Sequence, residues 1–295
     1  MAQQFSIFIP SWNNLPFLQK CIESIRRNST YDHQIIVHVN EGTDGTLEWV
    51  RQEGLDYTWS EKNIGVCLSM NMMRSRVKTD YICFMNDDMY VLPEWDKRLV
   101  DEIRSLPDNR FFLSATVIQP HTPADSTLVA DFGDSIESFR EADLLREYKS
   151  VGKEMRDWFG ATMPPNVVHR DLWDLVGGYS VELTPGMYSD PDFTAKLWLA
   201  GVRYMKGLAQ SRVYHFETKS TTRIRKNDGS MQFLLKWGMT SSTFRRQITR
   251  RGEDFDARLI GVSHANRLRS GRMKSRLKAL WLLLTRHFGP INPLH

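Results

Sequence analysis

Cysteine is scarce in this chain, and what there is argues against two classes of protein. Cys21, Cys67 and Cys83 lie within or beside apolar segments and show no CxxC or other metal-ligand spacing. They read as buried free thiols of a reducing compartment, neither a disulfide framework nor a cysteine-built metal site. Long apolar runs are missing too. The opening MAQQFSIFIPSW has no basic n-region and no apolar stretch long enough for export, so a cytoplasmic protein is expected. LKALWLLL near the C-terminus is far too short to span a bilayer. The chain has no internal repeat and no low-complexity tract.

Acidic residues thin out toward the C-terminus. Between Arg245 and Arg286 lie Arg246, Arg250, Arg251, Arg258, Arg267, Arg269, Arg272, Lys274, Arg276 and Lys278 with few acids, whereas the whole chain carries a net charge of only +4. Such an arm meets nucleic acid, an anionic membrane surface or an acidic substrate, and composition does not choose among them. With its flanking cations, 264–288 fits a helix lying in a membrane interface and equally a helix docking on its own domain.

What is present is enough for a substantial core: 295 residues, 41% hydrophobic and 25% charged. FSIFIP (5–10) is a compact apolar run closed by proline, followed over 15–25 by apolar residues at helical spacing. QIIVHV (34–39) predicts a second strand, 57–59 a weak third and YICFM (81–85) a fourth, with helices between them. Another helix is expected over 93–106, a strand over 111–117, a helix over 193–200, and short strands near 202–205 and 212–216. Strands alternating with helices predict an α/β fold with a mostly parallel sheet covered on both faces. The expected organisation is a main domain over 1–230, with a polar insertion or mobile region at 119–153, and a helical basic region over 231–295.

Chemistry concentrates at strand ends. In YICFMNDD, a buried-looking strand stops at Asn86, Asp87 and Asp88. Adjacent carboxylates repel and are comfortable when solvated, hydrogen-bonded or holding a cation. Asp and Asn are also ordinary cap residues, and Pro93 soon opens a helix, so this stretch alone fits a turn as well as a cation site. VNEGTDGT holds Glu41 and Asp44 after the second strand. SDPD (189–192) precedes a helix, where Asp190 fits an N-cap or a functional carboxylate. His215 closes the strand of VYHF. Together, a carboxylate pair and a distant imidazole suit Mn²⁺ or Mg²⁺ held with substrate phosphates. The separate Asp190 suits the deprotonation of an acceptor hydroxyl.

These motifs, in this order, resemble those of family 2 glycosyltransferases: FSIFIPSWNN, VNEGTDGT, EKNIGVCLSMN, CFMNDDM, GGYSVEL with YSDPDFTAKLWLAG, and VYHF, spanning roughly residues 5–220. The resemblance implies a GT-A fold and an inverting, non-processive enzyme. It would move one sugar from a nucleotide-diphosphate sugar to a hydroxyl of a glycan, glycolipid or other acceptor, with Mn²⁺ or Mg²⁺ as cofactor. Pro10, Ser11 and Asn13 would line the nucleotide pocket, Glu41 would bind the base or ribose, and Lys62 and Asn63 would continue the site. Asn86, Asp87 and Asp88 would occupy the DxD motif, with Asp88 the direct metal ligand and Asp87 near ribose or sugar. His215 would complete the metal site and Asp190 would be the catalytic base. Two positions depart from the pattern: Asn86 stands at the first DxD position and Ser189 where Glu is usual.

The chain lacks the QxxRW signature of processive members. Trp158, Phe159 and Gly160 fit either an acceptor platform or core packing. The basic loop 218–228, with Lys219, Arg223, Arg225 and Lys226, fits either a lid over the diphosphate or a solvated loop. Competing functions are a nucleotidyltransferase, against which SDPD and the absence of a glycine-rich basic signature after the first strand both argue, and a degenerate binding protein on the same fold. A nucleic-acid module is not expected, because the acidic site opposes it.

Overall fold

The computed structural model describes residues 4–218, 227–256 and 265–285. The first half builds β1 (Phe5–Trp12), α1 (Leu15–Asn28), β2 (Gln34–Asn40), α2 (Thr46–Gln52), β3 (Asp56–Ser60), α3 (Gly65–Met73), β4 (Tyr81–Phe84), β5 (Met89–Val91), α4 (Trp95–Ser105), β6 (Phe111–Gln119) and β7 (Thr127–Val129). The second half adds α5 (Glu141–Glu147), β8 (Trp158–Phe159), β9 (Asn166–His169), α6 (Arg170–Val176), α7 (Ser189–Leu199), β10 (Tyr204–His215), α8 (Gly229–Trp237), α9 (Ser241–Thr243) and α10 (Ala265–Thr285).

Sheet order runs β3-β2-β1-β4-β9-β6-β10-β5, with β7 on β6 and β8 on β10. The first four strands in this order are parallel, as crossover helices require. The sheet is mostly parallel, as expected, but mixed. β9 is wedged antiparallel between β4 and β6, and β5 and β8 pair antiparallel with β10. The apolar run before α6 carries no mark of strand direction, so pattern alone could not show this. The two short strands expected near 202–205 and 212–216 are one strand, β10, whose register against β6 shifts between Leu208 and Arg212.

Both faces of the sheet are apolar because both are covered. One face packs Phe5, Ile7, Val37 and Phe111 under α1, α2 and α4, and the other packs Phe8, Ile36, Phe84 and Phe112 with side chains of α3, α6 and α7. Each such side chain contributes about 1.5–3 kcal/mol on burial. The polar stretch at 119–153 is tied down by its few apolar residues: Phe132, Leu144 and Tyr148 pack with Tyr90, Tyr214 and Phe216.

Strand register positions the site. Trp12 pairs with Asn40 and Phe8 with Phe84, which aligns the carboxyl ends of β1, β2 and β4 along one edge. Antiparallel pairing of His215 with Met89 brings the end of β10 to the same place, and Phe216 N donates to Asp88 O at 3.0 Å.

Candidate active site

Along that edge opens a cleft of about 410 Å³, with Ser11, Asn63, Asp87, Asp88, Asp190 and His215 in its lining. Ligands of open α/β sheets sit outside the carboxyl ends of the strands, and the cleft is there.

Asp88 is buried, with one oxygen saturated by the chain itself: Thr218 N and Oγ1 both donate to Oδ2, at 2.9 and 2.7 Å. Its other oxygen faces His215 Nε2 at 3.3 Å. Burial alone would push the Asp88 carboxyl up; the His215 charge and hydrogen bonds from His215 and Thr218 outweigh it and hold the group below its ordinary value. For His215 burial favours the neutral ring, but Asp88, Glu217 and Asp87 raise its pKa.

This pair fits a divalent cation. Neighbouring ligands of a cation with bonds of about 2.1 Å lie about 3 Å apart, close to the separation of Oδ1 and Nε2. Among the described residues no group of three or more His, Cys, Asp or Glu converges to hold a metal. The remaining coordination would therefore belong to substrate oxygens and water. Asp87 turns to β1, accepting from Ser11 Oγ at 2.7 Å, and Asn86 lines the cleft.

Asp190 lies inside the first turn of α7, not at its N-cap; the cap is Tyr188, held at φ 68°. The carboxylate leaves the helix backbone alone and accepts from Tyr179 Oη at 3.0 Å. Burial pushes its pKa up to about 6, against the opposing influence of the Tyr179 hydrogen bond and the Arg251 charge. A carboxylate tuned there, in a cleft, is suited to general-base work near neutral pH. Its neighbour Asp192 has a different role. Fully buried, it accepts from Ser180 Oγ (2.5 Å) and Trp237 Nε1 (2.8 Å) and lies 3.0 Å from Lys236 Nζ, docking α8 on α7. Ser189, where the motif usually has Glu, donates to Gly186 O at 2.7 Å.

Three expected nucleotide contacts stand outside the lining. Asn13 Nδ2 donates to Glu41 Oε2 at 3.0 Å and Asn13 Oδ1 accepts from Gly42 N and Thr43 N, while Glu41 Oε1 accepts from Asn63 N at 3.3 Å. The two side chains brace loops instead of facing the cleft. Lys62 is exposed. Pro10, Ser11 and Asn63 do line it, together with Asn14, whose Nδ2 is buried without a hydrogen-bond partner among the described residues. Motif position alone could not separate Asn13 from Asn14, because the left-handed φ of 47° at Asn13 redirects the chain between them. The sequence also missed the wall made by Pro185 and Gly186. Trp158 and Phe159 are fully buried, so core packing uses them, and Gly160 packs on Arg251. The basic side chains of the expected lid, within 219–226, lie outside the described residues.

Residues 6–134 match the model of the glycosyl transferase family 2. That stretch is a family 2 glycosyltransferase domain. The match stops short of the 5–220 span that the motifs suggest; Asp190 and His215 lie beyond it, and α7 and β10 bring them to the same cleft. A curated relative, the uncharacterized glycosyltransferase EpsJ of Bacillus subtilis (strain 168), is 29% identical over 107 residues, 35% of this chain and 31% of the relative. The crystal structure of S. aureus TarS 1-349 superposes with a TM-score of 0.53 at 16% identity, covering 72% of this chain and 60% of that one. That of GalNAc-T7 with UDP, GalNAc and Mn²⁺ gives 0.56 at 14% identity, covering 99% and 59%. The glycosyltransferase domain thus has a GT-A fold, and the chain spans less than two thirds of the length of each of these proteins.

Proposed function

We propose that the protein is an inverting, metal-dependent glycosyltransferase that moves one sugar from a nucleotide-diphosphate sugar to a hydroxyl acceptor in the synthesis of a surface glycan or glycoconjugate. The observation that carries this reading is a single cleft lined both by a cation-ready Asp88–His215 pair and by Asp190, a carboxylate poised near neutrality. The family 2 match supports it, as do the UDP and UDP-GlcNAc complexes of TarS and the UDP and Mn²⁺ in the GalNAc-T7 structure.

In this reading Ser11, Asn14 and Asn63 hold the nucleotide, with Asn13 and Glu41 as positioning residues behind them. Asp88 and His215 would hold Mn²⁺ or Mg²⁺, which supplies charge neutralisation at the diphosphate leaving group. Asp190 takes the proton from the acceptor hydroxyl, whose oxygen attacks the anomeric carbon as the bond to the diphosphate breaks. Attack opposite the leaving group inverts the centre. Tyr179 Oη holds Asp190 Oδ1 and so aims the other oxygen.

A second element of the proposal is peripheral attachment to an anionic membrane through α10. Among the described residues no helix is long and apolar enough to cross a membrane. On α10, however, Met273, Leu277, Leu280 and Leu284 are 62, 61, 54 and 78% exposed. At about 100° per residue they share one stripe, flanked by Lys274 and Lys278 on one side and Arg272 and Arg276 on the other. Gly271, Ser275 and Leu282 are buried on the opposite face, and Ser275 Oγ accepts from Thr240 N at 3.2 Å. The helix therefore docks on its own domain and presents a second, apolar face bordered by cations, which suits an anionic lipid surface. The three buried free cysteines agree with a cytoplasmic location.

The deciding experiment is a screen of nucleotide sugars for Mn²⁺-dependent release of nucleoside diphosphate, with Asp88→Ala and Asp190→Ala as controls. Release that both substitutions abolish is the expected result. No turnover with any donor, together with no nucleotide-dependent thermal shift, overturns the transferase reading.

A further inference from the structure

A second cleft, of about 420 Å³, opens behind the proposed base. The two clefts share one turn as their partition: Met187, Ser189 and Asp190 line the first, Tyr188 and Pro191 the second. The far side of the second cleft comes from the C-terminal helical region, with Ser242, Phe244, Arg245, Thr249 and Arg251.

Two arginines give this open cleft its charge. Arg251 donates from Nε and Nη2 to Ser126 Oγ, both at 3.1 Å, and among the described residues pairs with no carboxylate within 4.0 Å. Burial and the neighbouring Arg245 depress its pKa to about 10, so it stays cationic at neutral pH. Arg245 Nε lies 3.4 Å from Asp125 Oδ2, yet it is buried with no hydrogen-bond partner among the described residues. One carboxylate thus stands beside two guanidiniums. The Arg245 side chain is 38% exposed, and such a guanidinium beside the more buried Arg251 can meet a phosphate or carboxylate with paired N–H bonds.

Two backbone features point the same way. Arg245 lies on a π-helical turn, Phe244–Ile248, a rare geometry that concentrates at functional sites. Tyr188 holds its left-handed φ of 68° on the partition itself, where a bulky residue stores strain, and its half-exposed ring borders the cleft.

We infer that this cleft is the acceptor subsite and that it takes an anionic sugar acceptor, with Tyr188 against the sugar ring and Arg251 and Arg245 on a phosphate or carboxylate group. The inference rests on the glycosyltransferase reading and deepens it. Asp190 lines the first cleft, so an acceptor anchored in the second would reach past the Tyr188–Pro191 turn to bring its hydroxyl to Asp190 and the donor.

The test titrates the full chain, saturated with UDP and Mn²⁺, with glucose, glucose 6-phosphate and glucuronate. Both anions should bind roughly tenfold or more tightly than glucose, the gain expected of a charge-assisted pair. A gain for one anion alone distinguishes phosphate from carboxylate recognition. Arg251→Gln and Arg245→Gln should each erase the preference, and Arg251→Lys should restore part of it. UDP affinity, read separately by titration, is expected to match wild type and reports that each variant is folded. Equal binding of glucose and both anions by the wild-type chain overturns the inference without any variant, as does a preference that survives both Gln substitutions. If UDP does not bind at all, the donor reading fails instead, and the two failures are distinguishable.

Discussion

Asp190 carries the sharpest residue-level consequences, because its folded-state pKa is raised from 3.8 to about 6. Above pH 6 the carboxylate is charged in both states and the folded protein bears the cost of burying it; below about pH 4 it is protonated in both and the cost vanishes. Asp190→Asn should therefore stabilise the fold by about 1–3 kcal/mol at pH 7 and by nothing at pH 3.5, read by denaturant unfolding at the two pH values. The same substitution should lower kcat by roughly 10²–10⁴. In the wild type, kcat/KM should fall on the acid side with a midpoint near pH 6. The groups facing Asp190 are Tyr179, Cys67 and Arg251, and only Arg251 is cationic. Removing that charge should move the acid limb upward, whereas an unmoved limb in Arg251→Gln would assign the midpoint to another group.

At this scale the sequence was legible where a residue's chemistry is rare. Two carboxylates at a strand mouth and a histidine closing another strand stood out, and geometry put Asp88 and His215 within 3.3 Å. Asn13 against Asn14 was not legible, since two identical side chains differ only in which way a left-handed turn sends them. Asp190 and Asp192 likewise read alike in SDPD. One faces the cleft and the other is buried under α8, a distinction made by packing partners far along the chain.

Elements hold these groups in place through a few close contacts. Gly65, at φ 73°, opens α3 against Pro185, and a Cβ there would come within 2.6 Å of Pro185 Cα; Val66 N also donates to Pro185 O at 2.8 Å. Gly65→Ala should cost about 1–3 kcal/mol in thermal or denaturant unfolding. It should also weaken nucleotide binding in a titration, because Pro185 forms the cleft wall. Asp192→Ala removes the buried partner of Ser180, Trp237 and Lys236 and should destabilise by about 3 kcal/mol. That loss should be accompanied by earlier protease cleavage within α8. Equal protease resistance of α8 in wild type and variant would show that its docking rests on apolar packing through Phe233 instead.

Helix and strand positions were readable from period and punctuation, and most observed elements lie within a few residues of expectation. Strand direction was not, because an apolar run such as the one ending in β9 fits either orientation equally well. The order of strands decided it: β9 enters between β4 and β6 only as an antiparallel strand feeding α6.

For the whole molecule, charge and hydrophobicity separate into two working surfaces. The carboxyl edge of the sheet carries Asp87, Asp88 and Asp190, and the C-terminal helices are basic. Flotation with vesicles containing phosphatidylserine should carry the protein at low salt and lose it at about 0.5 M salt, as screening removes an attraction of about 1 kcal/mol per Lys or Arg. Neutral vesicles should bind weakly, and Leu277→Glu with Leu280→Glu should abolish flotation on both. Retention of flotation in that double variant would shift the lipid contact away from the exposed stripe of α10.

By itself the sequence determined which segments become most of the strands and helices, which carboxylates and imidazole stand at strand and helix ends, and the family whose model residues 6–134 match, because these depend on local periodicity and residue type. Only the tertiary structure decided that Asp88 meets His215, that Asp190 is desolvated to a pKa of about 6, and that Arg245 and Arg251 close a second cleft behind it. Those properties come from burial and from groups separated by scores of residues, and neither quantity exists until the chain has folded.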